Sequence, residues 1–137
     1  MGESVPTANY LGTVELRIPA KPEWVAVARL TIAAIANRLP FTVEEIEDLK
    51  LAIAEACTNA IVAGGRDTIE IRCETTSDHL RIFVQDAGEP QAEPPRQPAA
   101  PAEGLGIFLI QALMDSVEHS AEPERGSELV MTKRVGS

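Results

Sequence analysis

The sequence is short of basic charge: 12 Lys and Arg stand against 21 Asp and Glu, for a formal net charge of -9 and a pI near 4.7. An acidic chain gains nothing from counterion release at a phosphate backbone, which excludes nucleic acid as a direct partner. Cysteine is nearly absent as well. Cys57 and Cys73 lack metal-ligand spacing and fall in apolar helix-like and strand-like segments, so they read as reduced core thiols of a cytosolic protein. No apolar stretch before the central helix can cross a bilayer, because the richest one, residues 24–36, is too short and carries Arg29. Residues 1–10 lack the basic-then-apolar order of a secretory signal. A cytoplasmic location with no membrane association is expected. Also missing are a Walker A sequence, a three-glycine dinucleotide fingerprint and any internal repeat. The usual sequence labels of a nucleotide enzyme are therefore not there.

What remains is one domain's worth of chain, 137 residues with 45% hydrophobic and 24% charged content, ordinary for a soluble globular protein. Its centre is the almost wholly apolar run at residues 51–62, which carries one carboxylate, Glu55, and one carboxamide, Asn59. Four residues apart on a helix, the two share a face. Small or apolar neighbours, Ala52, Ala56 and Ala60, make that face a poor solvated surface, and the pair suits a hard cation and a proton. The competing reading is a carboxylate on the solvent side of an amphipathic helix.

Along the chain, residues 11–18 alternate as a half-buried strand that Pro19 and Pro22 close. Residues 23–39 carry Val25, Ala28, Ile32 and Ile35 at helical spacing, ended by Pro40. Thr42 and Glu45 form a capping-box pair for a helix over 43–63, with Ile46, Leu49, Ile53, Ala56, Cys57 and Ala60 on its core face and Gly64-Gly65 at its end. Residues 68–74 and 79–85 alternate around Ser77-Asp78 as an antiparallel hairpin. Residues 87–103 hold five prolines and no large apolar side chain, the composition of a functional lid or a linker. A helix is expected from Gly104-Leu-Gly106 to about Val117, then a short strand at 117–120 and a last strand at 127–134. This order implies an α/β two-layer sandwich: a mixed, mostly antiparallel sheet with helices on one face, in a single domain spanning 1–137.

Two further stretches bear on chemistry. Asp86-Ala-Gly88 follows a strand, where a carboxylate can accept a hydrogen bond from an adenine amino group, or simply make a turn. Gly104-Leu-Gly106 at a helix start offers free amides and the positive end of a dipole to a phosphate.

Taken together, Glu55-x-x-x-Asn59-Ala60, Asp86-x-Gly88, the proline-rich segment, Gly104-x-Gly106 and Gly126-Ser127 occur in fixed order. That set resembles the Bergerat-type ATP-binding fold of gyrase, heat-shock protein 90, histidine kinases and the mismatch-repair protein MutL, the GHKL superfamily. Within it, Glu55-Ala-Cys-Thr-Asn-Ala60 and Gly104-Leu-Gly-Ile-Phe-Leu-Ile-Gln-Ala-Leu-Met-Asp115 look like the bacterial anti-sigma factor serine kinases. The resemblance covers about residues 14–133, with no segment for a phosphoacceptor histidine helix or a sensor.

The resemblance implies ATP and Mg²⁺ as cofactors. Asn59 would hold the Mg²⁺, and Glu55 would be the general base. Asp86 would read adenine, with Gly88 letting the chain pass close. Gly104, Leu105 and Gly106 would meet the phosphates, and Gly126 and Ser127 would line the far side. It implies two protein partners, an anti-sigma factor antagonist as phosphorylation substrate and a sigma factor, and a homodimer. The chain departs from the pattern at Ala63, where many relatives have His, at Pro90 in place of a second Gly, and at Ser127 in place of Thr. Arg96 in the proline-rich segment could reach a terminal phosphate, or be a solvated charge. The departures at Ala63 and Pro90 favour the alternative, a protein of the same fold that sequesters partners without catalysis.

Overall fold

A computed structural model describes residues 10–90, 101–122 and 126–136. Among them the elements run β1 (Tyr10–Pro19), a short 3₁₀ turn (Pro22–Trp24), α1 (Val25–Ala36), α2 (Val43–Ala63), β2 (Arg66–Thr76), β3 (His79–Pro90), α3 (Pro101–Leu113), β4 (Ser116–Glu122) and β5 (Gly126–Arg134). The sheet order is β1-β2-β3-β5-β4. Among the described residues all four pairings are antiparallel, so the sheet is antiparallel rather than mixed.

Helix α2 has the expected bounds because both its ends are set locally. Thr42 Oγ1 accepts from the Glu45 amide at 3.1 Å while the Thr42 amide donates to Glu45 Oε1 at 2.8 Å, and Gly64 closes the helix in the left-handed region at φ 71°. Glu45 does more than cap. Its other oxygen accepts from the Gly136 amide at 2.9 Å, and backbone bonding at Thr42 and Gly136 holds its carboxyl below the usual carboxylate range. The chain just past β5 is thereby tied to the start of α2.

Alternation puts Ile18, Ile69, Ile71, Cys73, Leu80, Ile82, Val84, Leu129 and Met131 on one side of the sheet, where they are buried with Ala28, Ile32, Leu49, Ile53 and Cys57 from the helices. Helices α1 and α3 flank α2 on that side. The opposite side is polar: Arg17 pairs with Glu70, and the Arg72 guanidinium lies 4.0 Å over the Phe83 ring. The layers are the two expected. Cys57 and Cys73 are buried free thiols, pushed up to about 12 by burial, which leaves them inert near neutral pH.

Strands β1, β2 and β3 run past their expected ends, and α1, α3, β4 and the expected lid differ more. The first helix stops at Ala36, because the Arg38 and Leu39 amides turn back to Ile35 and Ala36, tightening the chain before Pro40. Helix α3 starts at Pro101 and ends at Leu113 rather than starting at Gly104 and reaching Val117; proline suits a first helical position. Strand β4 occupies Ser116–Glu122 and pairs fully with β5. Of the segment expected as a lid, β3 takes the residues to Pro90 and α3 those from Pro101. Residues 91–100, including Arg96, lie outside the described residues. No helix among the described residues is long and apolar enough to cross a membrane.

Candidate functional site

Between the helices and the β3-β5-β4 side of the sheet lies a cavity of about 260 Å³, with Ala56, Asn59, Ala60 and Ala63 of α2 on one wall and Ile107 of α3 beside them. Val84 and Asp86 of β3, Ser127 and Leu129 of β5 and His119 of β4 form the sheet side. Its existence follows from side-chain size: three alanines on α2 leave room where larger residues elsewhere on that helix fill the core. Its form, apolar with a few convergent polar groups, is that of a small-molecule site.

Asp86 is the polar centre of the sheet side. It is 9% exposed and accepts from Ser127 Oγ at 3.2 Å. Burial pushes its carboxyl above the usual carboxylate range, opposed by side-chain and backbone hydrogen bonds from Ser127 and by the charges of Arg66 and His119. A carboxylate desolvated this way gains most from a further hydrogen-bond donor, so it is poised to accept one from a ligand.

Asn59 is the polar group of the helix side. Its Nδ2 is buried with no hydrogen-bond partner among the described residues, which native interiors seldom tolerate without a ligand or water to fill the place. Gly106 of α3 is why it fits: a Cβ there would lie 2.7 Å from Asn59 Oδ1 and 3.0 Å from Nδ2. The glycine is needed for close approach.

The remaining expected residues are placed as follows. Glu55, half-buried on α2 one turn before Asn59, is not among the residues that line the cavity. Gly88 is on β3 at φ 83°, where a Cβ would strike the Asp67 carboxylate and sit 2.7 Å from Thr68 Oγ1. Its carbonyl accepts from Arg66 Nη1 at 3.2 Å. Gly104 and Leu105 lie within α3. Since that helix starts at Pro101, amides from Leu105 onward fall among those that bond back within a helix, and the free donors lie earlier. Gly126 pairs with Glu122 at the start of β5. The structure thus brings Asn59, Asp86 and Ser127 around one cavity, with Gly106 against Asn59, and Glu55 and Gly88 are not part of its lining. Sequence reading missed His119, Val84, Leu129 and Ile107; only the alternation along β4, β3 and β5 hinted at the first three.

The donor set fits a nucleotide with Mg²⁺. The buried carboxylate and the floor of Val84 and Leu129 suit a base, the unpaired Asn59 amide lies beside α3, and one protein oxygen suffices for a cation that keeps water and phosphate ligands.

The histidine kinase-like ATPase domain model matches residues 18–133. The chain is similar to the serine-protein kinase RsbW of Oceanobacillus iheyensis, 40% identical over 144 aligned positions that take in 93% of this chain and 89% of the relative. It is also similar to the proteins of the same name from Bacillus subtilis, 35% identical across 91% of the chain and 87% of the relative, and from Halalkalibacterium halodurans, 39% identical across 88% and 82%. The matched span takes in Asn59, Asp86, Gly106 and Ser127 alike, and on that extent the chain belongs to the histidine kinase-like ATPase domain family.

Proposed function

We propose that the protein is a cytoplasmic, single-domain protein serine kinase. It transfers the γ-phosphate of Mg-ATP to a serine of a small anti-sigma factor antagonist, and otherwise binds and sequesters a sigma factor. The observation that carries this is the cavity that joins Asp86 and Ser127 to Asn59, in a chain similar along most of its length to proteins named serine-protein kinase.

Asp86 accepts a hydrogen bond from the base amino group, supported by Ser127. Asn59 would hold the Mg²⁺ through its amide oxygen, and its Nδ2, without a partner among the described residues, would donate to a phosphate oxygen. Bound Mg²⁺ supplies neutralisation of the charge that develops on the phosphates. Glu55 takes the proton from the substrate serine Oγ. That oxygen bonds to the γ-phosphorus as the bond to the β–γ bridging oxygen breaks, and ADP leaves with the bridging oxygen. Glu55 standing outside the cavity lining suits this role, since the attacking hydroxyl arrives from another protein.

The test is incubation with labelled Mg-ATP and the candidate antagonist. Serine phosphorylation is expected, and Glu55→Gln should slow it by roughly 10²–10⁴-fold while ATP still binds in calorimetry. A Glu55→Gln protein that phosphorylates at the parental rate removes Glu55 as base. Ala63 in the cavity lining favours the second reading, a nucleotide-binding sequestrant without catalysis; ATP binding with no transfer to any antagonist would select it.

The dimer belongs to this proposal too. Strand β1 is an edge of the sheet, Leu11 and Val14 are exposed by 58% and 42%, and a groove of about 550 Å³ lies between β1 and α1. Such an edge invites pairing with another chain. Leu11→Glu with Val14→Glu should convert a dimer to a monomer in sedimentation; a parental protein that sediments as a monomer rejects it.

A further inference from the structure

One polar side chain of the lining is unused by the proposed chemistry. His119 of β4 is register-paired with Leu129, and Leu129 with Val84. Paired residues share a face of a sheet, so the three form a row across three strands on the helix-covered side. The next row along is Ser127 and Asp86, two residues from Leu129 and Val84 and joined by their hydrogen bond. His119 therefore stands diagonally across from Ser127, two strands from Asp86, at the exposed rim of the cavity.

The dimensions decide what it can touch. Adjacent strands lie about 4.8 Å apart, which places the β4 row on the order of 10 Å from β3. A purine whose amino group rests on Asp86 and whose face covers Val84 and Leu129 fills that width and ends against His119. Among the lining residues His119 has the one aromatic ring, and such a ring packs favourably against the edge of another aromatic system. The competing reading is an edge-strand histidine facing solvent. Against it, the side chain projects from the covered face into the cavity lining rather than from the open face.

We propose that His119 is a base-contacting residue that closes the β4 side of the nucleotide pocket by packing its imidazole against the purine, so that Asp86 and His119 share recognition of the base. This rests on the nucleotide reading of the cavity, and the test separates the two. The chain has two histidines. The other, His79, bonds to Thr76 and Asp78 at the β2–β3 turn, roughly 23 Å along β3 from Asp86, and serves as an internal reference.

Imidazole signals are followed by NMR during titration with Mg²⁺ and a non-hydrolysable ATP analogue, then with Mg²⁺ and tripolyphosphate. The His119 signals should move saturably with the analogue and far less with tripolyphosphate, with His79 unmoved by both. His119→Ala should weaken analogue binding about fivefold and leave tripolyphosphate binding unchanged, and His119→Phe should restore affinity. If the analogue binds by calorimetry while His119 stays silent and His119→Ala binds as the parent, the proposal is overturned and the pocket stands. If tripolyphosphate moves His119 as much as the analogue does, His119 faces the phosphates and the proposal is overturned. If no nucleotide binds the parental protein, the reading of the pocket falls and takes this one with it.

Discussion

The two ends of the cavity are built on different supports. On the sheet side, Asp86 and Ser127 stand on β3 and β5, strands locked by a continuous ladder from His79–Arg134 to Gln85–Glu128, and their side chains bond to each other. On the helix side, Asn59 and Gly106 stand on α2 and α3, which meet through side-chain packing, and Asn59 Nδ2 has no partner among the described residues. A ladder fixes spacing to a fraction of an ångström, whereas packed helices slide at modest cost. Under the proposed function the sheet side is thus a fixed reader, and the helix side is a grip whose fit depends on one missing Cβ.

The largest effect is expected where the reader is altered. Asp86→Asn exchanges a charged acceptor for a group that can face a base with its donor, and should lower ATP affinity by about 1.5–3 kcal/mol, roughly ten- to a hundredfold in calorimetry. Stability should move the other way. Burial raises the Asp86 carboxyl above its ordinary value, so the native state holds the proton more tightly than the unfolded chain. The cost of ionising it is absent below the unfolded pKa and complete above the folded one. Asp86→Asn should therefore raise the melting temperature slightly at neutral pH and leave it unchanged in acid. A lower melting temperature at neutral pH would mean that the carboxylate stabilises the fold and that its burial is not held for a ligand.

Gly106→Ala tests the grip. Alanine in a helix interior gains about 1 kcal/mol over glycine, but here its Cβ would stand 2.7 Å from Asn59 Oδ1, and overpacking of that kind costs about 1–3 kcal/mol. Net stability should fall by between zero and about 2 kcal/mol. Mg-ATP affinity should fall about tenfold, near 1.4 kcal/mol, because Asn59 or α3 has to move. A variant with parental affinity would remove the helix side from the site and leave the sheet side alone.

The same division explains what could be read from sequence. Helix α2 was legible to the residue because Thr42, Glu45 and Gly64 set its ends through contacts within one turn. Asn59, Asp86 and Ser127 were legible as motif residues, and their meeting in one cavity was expected from resemblance. The start of α3 at Pro101 was hidden because Gly104 and Gly106 read as a helix opening, while Gly106 in fact serves a contact with a different helix. His119 and the floor of Val84 and Leu129 depend on β5 lying between β3 and β4, a non-local pairing that no spacing along the chain displays.

The smallest effect on nucleotide is expected from the far end of α3. Lys133, 5% exposed, donates from Nζ to the Leu113 carbonyl at 2.8 Å and lies 3.8 Å from Asp48 Oδ2. It caps the last turn of α3 while the Asp115 amide bonds to the Thr132 carbonyl. Lys133→Met keeps the stem and removes the donor, leaving a helix carbonyl unmet, a loss of about 1–3 kcal/mol seen as a lower melting temperature. If α3 is placed at the site chiefly by its contact with Asn59, ATP affinity measured well below that melting temperature should change by less than about twofold, a few tenths of a kcal/mol. A fall as large as that of Gly106→Ala would mean that the grip is set from the clamped end of the helix, and that the helix side is as rigidly built as the sheet side.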